Sequence, residues 1–284
     1  MKRAIVTGGT RDDVAPMAVF AINIRNTNAH LFDELVVFHD GIKKKDQELI
    51  NDIFPTRFIK YTYPAKSKND EVISYFSVMV YCKYECFRLL DEYDEVVWSD
   101  YDVVIRKPLD DFVLRKDESI HLLDSGETLA SMFCKNLVNE EIKKLDFSKK
   151  AVCTPLLSFS NKLPDSQSIC EWCYEKTLEW DQDLYLPEQC IFSAAVQKFN
   201  IPLKFFSFKD YAQHPSRADG TEYIIHAAGQ PKFWNGLNDE TWNSMYSEWL
   251  KMGGSKFVSL KKLLKRKWIF VWTRLHGIRG REHG

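Results

Sequence analysis

At 284 residues and 45% hydrophobic content, the chain has enough apolar mass for one large α/β domain or two small ones. Its 39 Lys and Arg against 40 Asp and Glu leave a formal charge of −1, which gives no reason to expect a nucleic-acid partner at whole-chain level. Seven cysteines, an odd number, include a single C-x-x-C pair, Cys170 and Cys173, with no nearby histidine. That pattern argues against a disulfide framework and a zinc site, and suits a reducing compartment.

The first apolar run, residues 4–6, is too short for a signal peptide, and no segment reaches the roughly 18 apolar residues of a membrane span. A cytoplasmic chain, soluble or peripheral to the membrane, is expected. Residues 4–6 read as a first strand broken by Gly8 and Gly9. Asp12 or Asp13 then caps a helix with Val14, Met17, Ala18, Ala21 and Ile22 on one face. Residues 34–39 form a second buried strand, residues 43–53 a helix, and residues 57–61 a third strand. This alternation predicts a mainly parallel sheet with helices on both faces. A polar stretch, residues 66–71, leads into a long helix over residues 75–90, and residues 94–98 form the fourth strand. Further strands are expected at 119–123, 154–160, 203–206 and 223–226, with helices at 164–180 and 188–199. The Cys170–Cys173 pair falls on the first of these helices and reads as two buried thiols.

The fourth strand delivers Asp100 and Asp102, one residue apart, at its carboxyl end, where open α/β sheets bind ligands. Two adjacent carboxylates repel unless a cation with oxygen ligands joins them, and a diphosphate can complete that cation's shell. The plainer alternative is a polar turn in which one aspartate caps the next element. The strand at 223–226 delivers His226, followed by a small-residue turn around Gly229 and then Lys232. An imidazole suits manganese-like ions and a lysine suits a phosphate, although a histidine ending a strand is often structural. Together, two carboxylates, an imidazole, a lysine and a glycine turn supply what a metal–diphosphate site needs.

At these residues the sequence resembles the family 8 glycosyltransferases. Three stretches carry the resemblance: Tyr81-Cys82-Lys83, the strand Val97-Trp98-Ser99-Asp100-Tyr101-Asp102-Val103-Val104, and the segment from Ile225 to Trp234. The resemblance covers roughly residues 1 to 236 and implies a GT-A (Rossmann-like) α/β fold with a mixed, mainly parallel central sheet. It implies a retaining transferase in which Asp100, Asp102 and His226 hold Mn2+ or Mg2+, and Tyr101 lies between the acids at the donor. Lys232 and the Gly229 backbone would contact the diphosphate of a UDP-sugar, and Lys83 would stand near the donor sugar or phosphate, where the family usually has arginine. Glu188 and Gln189 resemble the acid–glutamine pair beneath the donor sugar, with Gln189 near the anomeric carbon. Glu188 in a first helical turn can equally be a charge that complements the helix dipole. Thr7 and Asp12 are the candidates for the uracil or ribose. The family's asparagine-any-glycine strand is absent, and residues 154–158 stand in its place.

The last segment is distinct. Residues 256–284 carry nine Lys or Arg against one acid, Glu282. Phe257, Leu260, Leu264, Trp268, Val271 and Leu275 fall on one helical stripe. A basic amphipathic helix of this kind suits an anionic membrane surface, here through residues 256–276. Gly253-Gly254 reads as a hinge before it. The expected organisation is a catalytic domain over residues 1–252 and a membrane-association segment over 253–284. The expected activity is transfer of glucose or galactose from UDP to a hydroxyl of a glycan or lipid-linked oligosaccharide. The rivals are an inverting enzyme, with Asp124 or Asp181 as base, a UDP-sugar-binding protein without catalysis, and a metal-dependent phosphohydrolase.

Overall fold

The computed structural model describes residues 1–63, 77–114, 118–135 and 137–257. Its first half alternates strand and helix: β1 (Arg3–Gly9), α1 (Val14–Thr27), β2 (Glu34–His39), α2 (Lys44–Ile53) and β3 (Thr56–Lys60). A 3-10 stretch (Val78–Tyr84) and α3 (Glu85–Leu89) lead into β4 (Glu95–Ser99). Then come β5 (Val103–Ile105), α4 (Asp110–Val113), β6 (Ile120–Asp124), β7 (Cys153–Ser160), α5 (Ser166–Glu179) and α6 (Pro187–Lys198). β8 (Leu203–Ser207), α7 (Phe208–Ala212), β9 (Ile224–His226) and α8 (Glu240–Lys251) complete the described elements.

Seven strands form one mixed sheet in the order β3-β2-β1-β4-β7-β6-β8. The β3-β2-β1-β4 half is parallel, β7 runs antiparallel to both β4 and β6, and β8 is parallel to β6. β4 is buried along its whole length, and β1 and β2 nearly so, which is why they read as continuous apolar runs rather than alternating ones. One face, with Val6, Val96 and Trp98, packs on the 3-10 stretch, α3, α5 and α6. The other, with Ile5, Leu35 and Val97, packs on α1, α2 and α8. β5 and β9 make a separate two-stranded sheet in this second layer.

Three details differ from the sequence reading. β1 does not break at Gly8-Gly9 but runs through both, paired with Phe38 and His39 of β2, and glycine is needed there because a side chain would collide with its neighbours. A Cβ on Gly8 would meet Cys82 Sγ at 2.4 Å, and one on Gly9 the Tyr101 ring at 2.9 Å. The expected helix at 75–90 is described only from Val78, and its first part is 3-10 rather than α; residues 64–76, including the polar stretch, lie outside the described residues. Val78, Val80, Tyr81 and Tyr84 are poor α-helix formers, so burial rather than propensity holds this stretch. Finally, Gly253-Gly254 is no open hinge: Gly254 packs face to face on Trp249, leaving 2.0 Å between a Cβ and the ring. The amphipathic stripe from Leu260 onward lies outside the described residues. Among the described residues, no helix is long and apolar enough to cross a membrane. Cys170 and Cys173 are fully buried free thiols.

Candidate active site

The two aspartates occupy the link between β4 and β5, held at both ends by backbone bonds. Asp100 N–H donates to the Pro155 carbonyl of β7 at 2.9 Å, and Ala227 N–H donates to the Asp102 carbonyl at 2.9 Å. β5 pairs antiparallel with β9 so that Val103 faces His226. This register, across more than a hundred residues of sequence, carries the imidazole to the acids. His226 Nε2 lies 3.1 Å from Asp102 Oδ1 and 3.8 Å from Asp100 Oδ2. One ligand atom from each of the three residues falls within 4.8 Å of the others. The Nδ1 of His226 is buried without a hydrogen-bond partner. Lys232 reaches back over the turn, donating to Asp102 Oδ2 and, at 2.6 Å, to the Ala227 carbonyl. Burial alone would raise the Asp102 carboxyl, but the Lys232 ammonium and His226 together hold it well below the usual carboxylate range.

A second charged group adjoins the first from the other side of β4. Lys83, only 6% exposed, donates to Glu188 Oε1 at 2.9 Å and to Thr154 Oγ1 at 3.1 Å, and stands 3.3 Å from Asp100 Oδ1. Thr154 also donates to Glu188 Oε1, at 2.9 Å. Burial disfavours the Lys83 charge, yet Asp100 and Glu188 outweigh it and raise the ammonium above its ordinary range. Trp98 Nε1 donates to Asp100 Oδ1 at 3.0 Å. Lys83 therefore links the acidic pair to Glu188, so that Lys83, Asp100, Asp102, Glu188, His226 and Lys232 form one connected charged cluster.

Tyr101 stacks on Trp234, with ring centroids 6.0 Å apart and planes at 28°, and its ring lies over Gly9. Thr7 is buried in β1 with its hydroxyl unpartnered, and Asp12 is exposed in the 3-10 turn Arg11–Asp13 that comes next. No hydrogen bond or ion pair among the described residues ties either to the acids. Gly229 sits exposed at φ +73°, a left-handed conformation that glycine adopts without strain. Gln189, at the third position of α6, is half-buried, and its amide makes no hydrogen bond among the described residues.

Thr154 and Trp98 are absent from the sequence-derived site. Trp98 had a readable signal: it lies two residues before Asp100, and along an extended strand that spacing places both on one face. Thr154 was readable only as part of residues 154–158, which stand in the place of a family strand; its contact with Glu188 and Lys83 depends on β7 lying beside β4.

The donor set fits a hard divalent ion. It offers two carboxylates and one imidazole in close convergence, a combination suited to Mn2+ or Mg2+ rather than to a thiolate-seeking metal. Around it the three carboxyl groups of Asp100, Asp102 and Glu188 face the two amino groups of Lys83 and Lys232.

No protein-family model matches the chain, and no curated protein does. Solved structures do match. LgtC, as an active-site glutamine-to-glutamate variant, superposes with a TM-score of 0.63 at 12% identity, covering 88% of this chain and 99% of LgtC. The galactosyltransferase LgtC in complex with donor and acceptor sugar analogues gives 0.61 at 13% identity over the same shares, 88% and 99%. The glycosyltransferase GlyE of Streptococcus pneumoniae gives 0.58 at 16% identity, covering 89% of this chain and 64% of GlyE. At such identities the likeness establishes the fold: this chain has the mixed, mostly parallel α/β fold of LgtC, which is of the GT-A type.

Proposed function

We propose that this chain is a retaining glycosyltransferase that moves a hexose, glucose or galactose, from a UDP-sugar to a hydroxyl of a cell-surface glycan precursor. The observation that carries the reading is the convergence of Asp100, Asp102 and His226 within 4.8 Å, with Lys232 on the same carboxylate, at the carboxyl end of a sheet like that of LgtC. Asp100, Asp102 and His226 hold Mn2+ or Mg2+, which when bound supplies a Lewis acid for the donor diphosphate. Lys232 offers a point charge to a phosphate oxygen and stabilises the negative charge that builds on departing UDP. The Gly229 turn brings backbone close to the same phosphates. Asp12 is exposed for contact with the uracil or ribose, whereas Thr7 is fully buried in β1, and Tyr101 forms an adjacent wall.

Lys83 pairs with Glu188 and fixes it beneath the donor sugar. Gln189, whose amide is free of other bonds among the described residues, lies near the anomeric carbon. The acceptor hydroxyl attacks from the leaving-group side and gives its proton to the departing phosphate oxygen, so configuration is retained. An inverting enzyme needs an available carboxylate base. The two candidates are Asp124, which pairs with Lys150 at the surface, and Asp181, which is buried; the configuration of the product decides between them and the retaining reading. Residues 256–276 supply the attachment to an anionic surface on the cytoplasmic face, which places the site beside a lipid-linked acceptor. Proton NMR of the product tests the stereochemistry: an α-linked product from an α-linked UDP-hexose is expected, and a β-linked product overturns the retaining assignment.

A further inference from the structure

The start of the C-terminal extension is bonded into the body, although the sequence reads as a hinge there. Ser255 donates its N–H and hydroxyl to the Asp46 carboxylate of α2 at 3.0 and 2.7 Å, and Asp46 is 2% exposed. Trp249 Nε1 donates to the Ser255 carbonyl at 2.9 Å, Lys45 Nζ to the Gly253 carbonyl at 2.9 Å, and Phe257 N–H to the Tyr246 hydroxyl at 3.1 Å. Gly254 allows this course, since its Cα lies directly against the Trp249 ring.

These bonds aim Phe257 at one target. Its ring packs on Trp234 with centroids 5.6 Å apart. Trp234 in turn contacts Trp242 of α8 at 6.3 Å and stacks on Tyr101 at 6.0 Å. Tyr101 is the residue between Asp100 and Asp102, and Trp234 is two residues beyond Lys232. An unbroken row of aromatic rings thus joins the root of the extension to both halves of the metal and diphosphate site.

We propose that Ser255 and Phe257 are positioning residues for that site: Asp46 anchors the root, Phe257 braces Trp234, and the Trp234–Tyr101 stack holds the Lys232 turn in register with the aspartates. The extension therefore does more than attach the protein to a surface, because pulling its root away loosens the metal-binding turn. The inference rests on the metal reading of Asp100, Asp102 and His226. Groups hydrogen-bonded directly to metal ligands typically set affinity by about 10–100-fold, and a brace one step further out falls at the low end of that range.

The test is calorimetric titration of the full-length chain with Mn2+, alone and with UDP, alongside thermal unfolding. Phe257→Ala and Asp46→Ala are expected to weaken Mn2+ binding in the presence of UDP by about tenfold, and Phe257→Tyr to bind as wild type. In turnover assays both Ala variants should recover the wild-type rate at saturating Mn2+, shifting only the Mn2+ requirement. Phe257 is half-buried, so Phe257→Ala keeps the test intact should Asp46→Ala fail to fold. Wild-type Mn2+ affinity in Phe257→Ala overturns this inference alone, while a wild-type chain that binds no Mn2+ overturns the metal reading and this inference with it.

Discussion

Replacing Lys83 by Met removes the one ammonium that, among the described residues, pairs with Glu188, and the cost can be worked from its surroundings. Lys83 and Glu188 are 6% and 4% exposed and 2.9 Å apart, so neither charge has water to fall back on. Breaking such a pair from one side typically costs about 3–5 kcal/mol, because the survivor stays buried and uncompensated. For a domain of this size that corresponds to a fall in Tm on the order of 10 °C. Glu188→Gln should be milder, since Lys83 keeps Asp100 at 3.3 Å. The double variant Lys83→Met/Glu188→Gln should regain much of the loss, giving a coupling energy above about 1 kcal/mol in a double-mutant cycle. It should nevertheless remain inactive. Guanidinium unfolding of all four proteins at neutral pH supplies the cycle. The raised ammonium also sets the sign of the pH effect. Its contribution is complete below the ordinary lysine value of 10.5 and is lost as pH rises through the folded-state value, so the wild type should lose stability in that alkaline window more steeply than Lys83→Met. Additivity of the two single changes within about 0.5 kcal/mol would refute the buried pair.

Four further outcomes are expected, the last from the sequence of the C-terminal segment. Asp102→Asn should cut turnover at least about a hundredfold through loss of a metal ligand, as measured by UDP release. The Asp102 carboxyl is held low, so its contribution to stability is present above the ordinary 3.8 and fades as pH falls through the depressed value; acid unfolding should show this limb in wild type and not in Asp102→Asn. Gly8→Ala places a Cβ 2.4 Å from Cys82 Sγ and should destabilise by about 1–3 kcal/mol, and Cys82→Ala added to it should restore most of the loss in chemical denaturation. Deleting residues 258–284 should release the protein from anionic vesicles in a sedimentation assay while sparing activity on soluble acceptors; unchanged vesicle binding would place the attachment elsewhere.

The sequence made some of this architecture legible and hid the rest for identifiable reasons. Strands such as β2 and β7 announced themselves because they are buried on both faces and bounded by turn residues. The acidic pair and the histidine segment were readable as chemistry, since residue types that repel or rarely converge need a ligand to justify them. The packing that joins them was not readable: β5 is three residues long, and its pairing with β9 is a contact across the chain. The helix α8 was missed although it carried a readable signal, since its buried Trp242, Met245 and Trp249 recur at helical spacing after an Asp239 cap. Gly253-Gly254 misled for a related reason. Glycine signals freedom in a bare sequence, but Gly254 is glycine because Trp249 leaves it no room.

The most direct test of the central claim is UDP release from a panel of UDP-hexoses, with and without Mn2+ and with chelator. The account predicts release from UDP-glucose or UDP-galactose that requires the ion and disappears in Asp102→Asn. Folded wild-type protein that neither releases UDP nor binds any UDP-hexose in the presence of Mn2+ would contradict it.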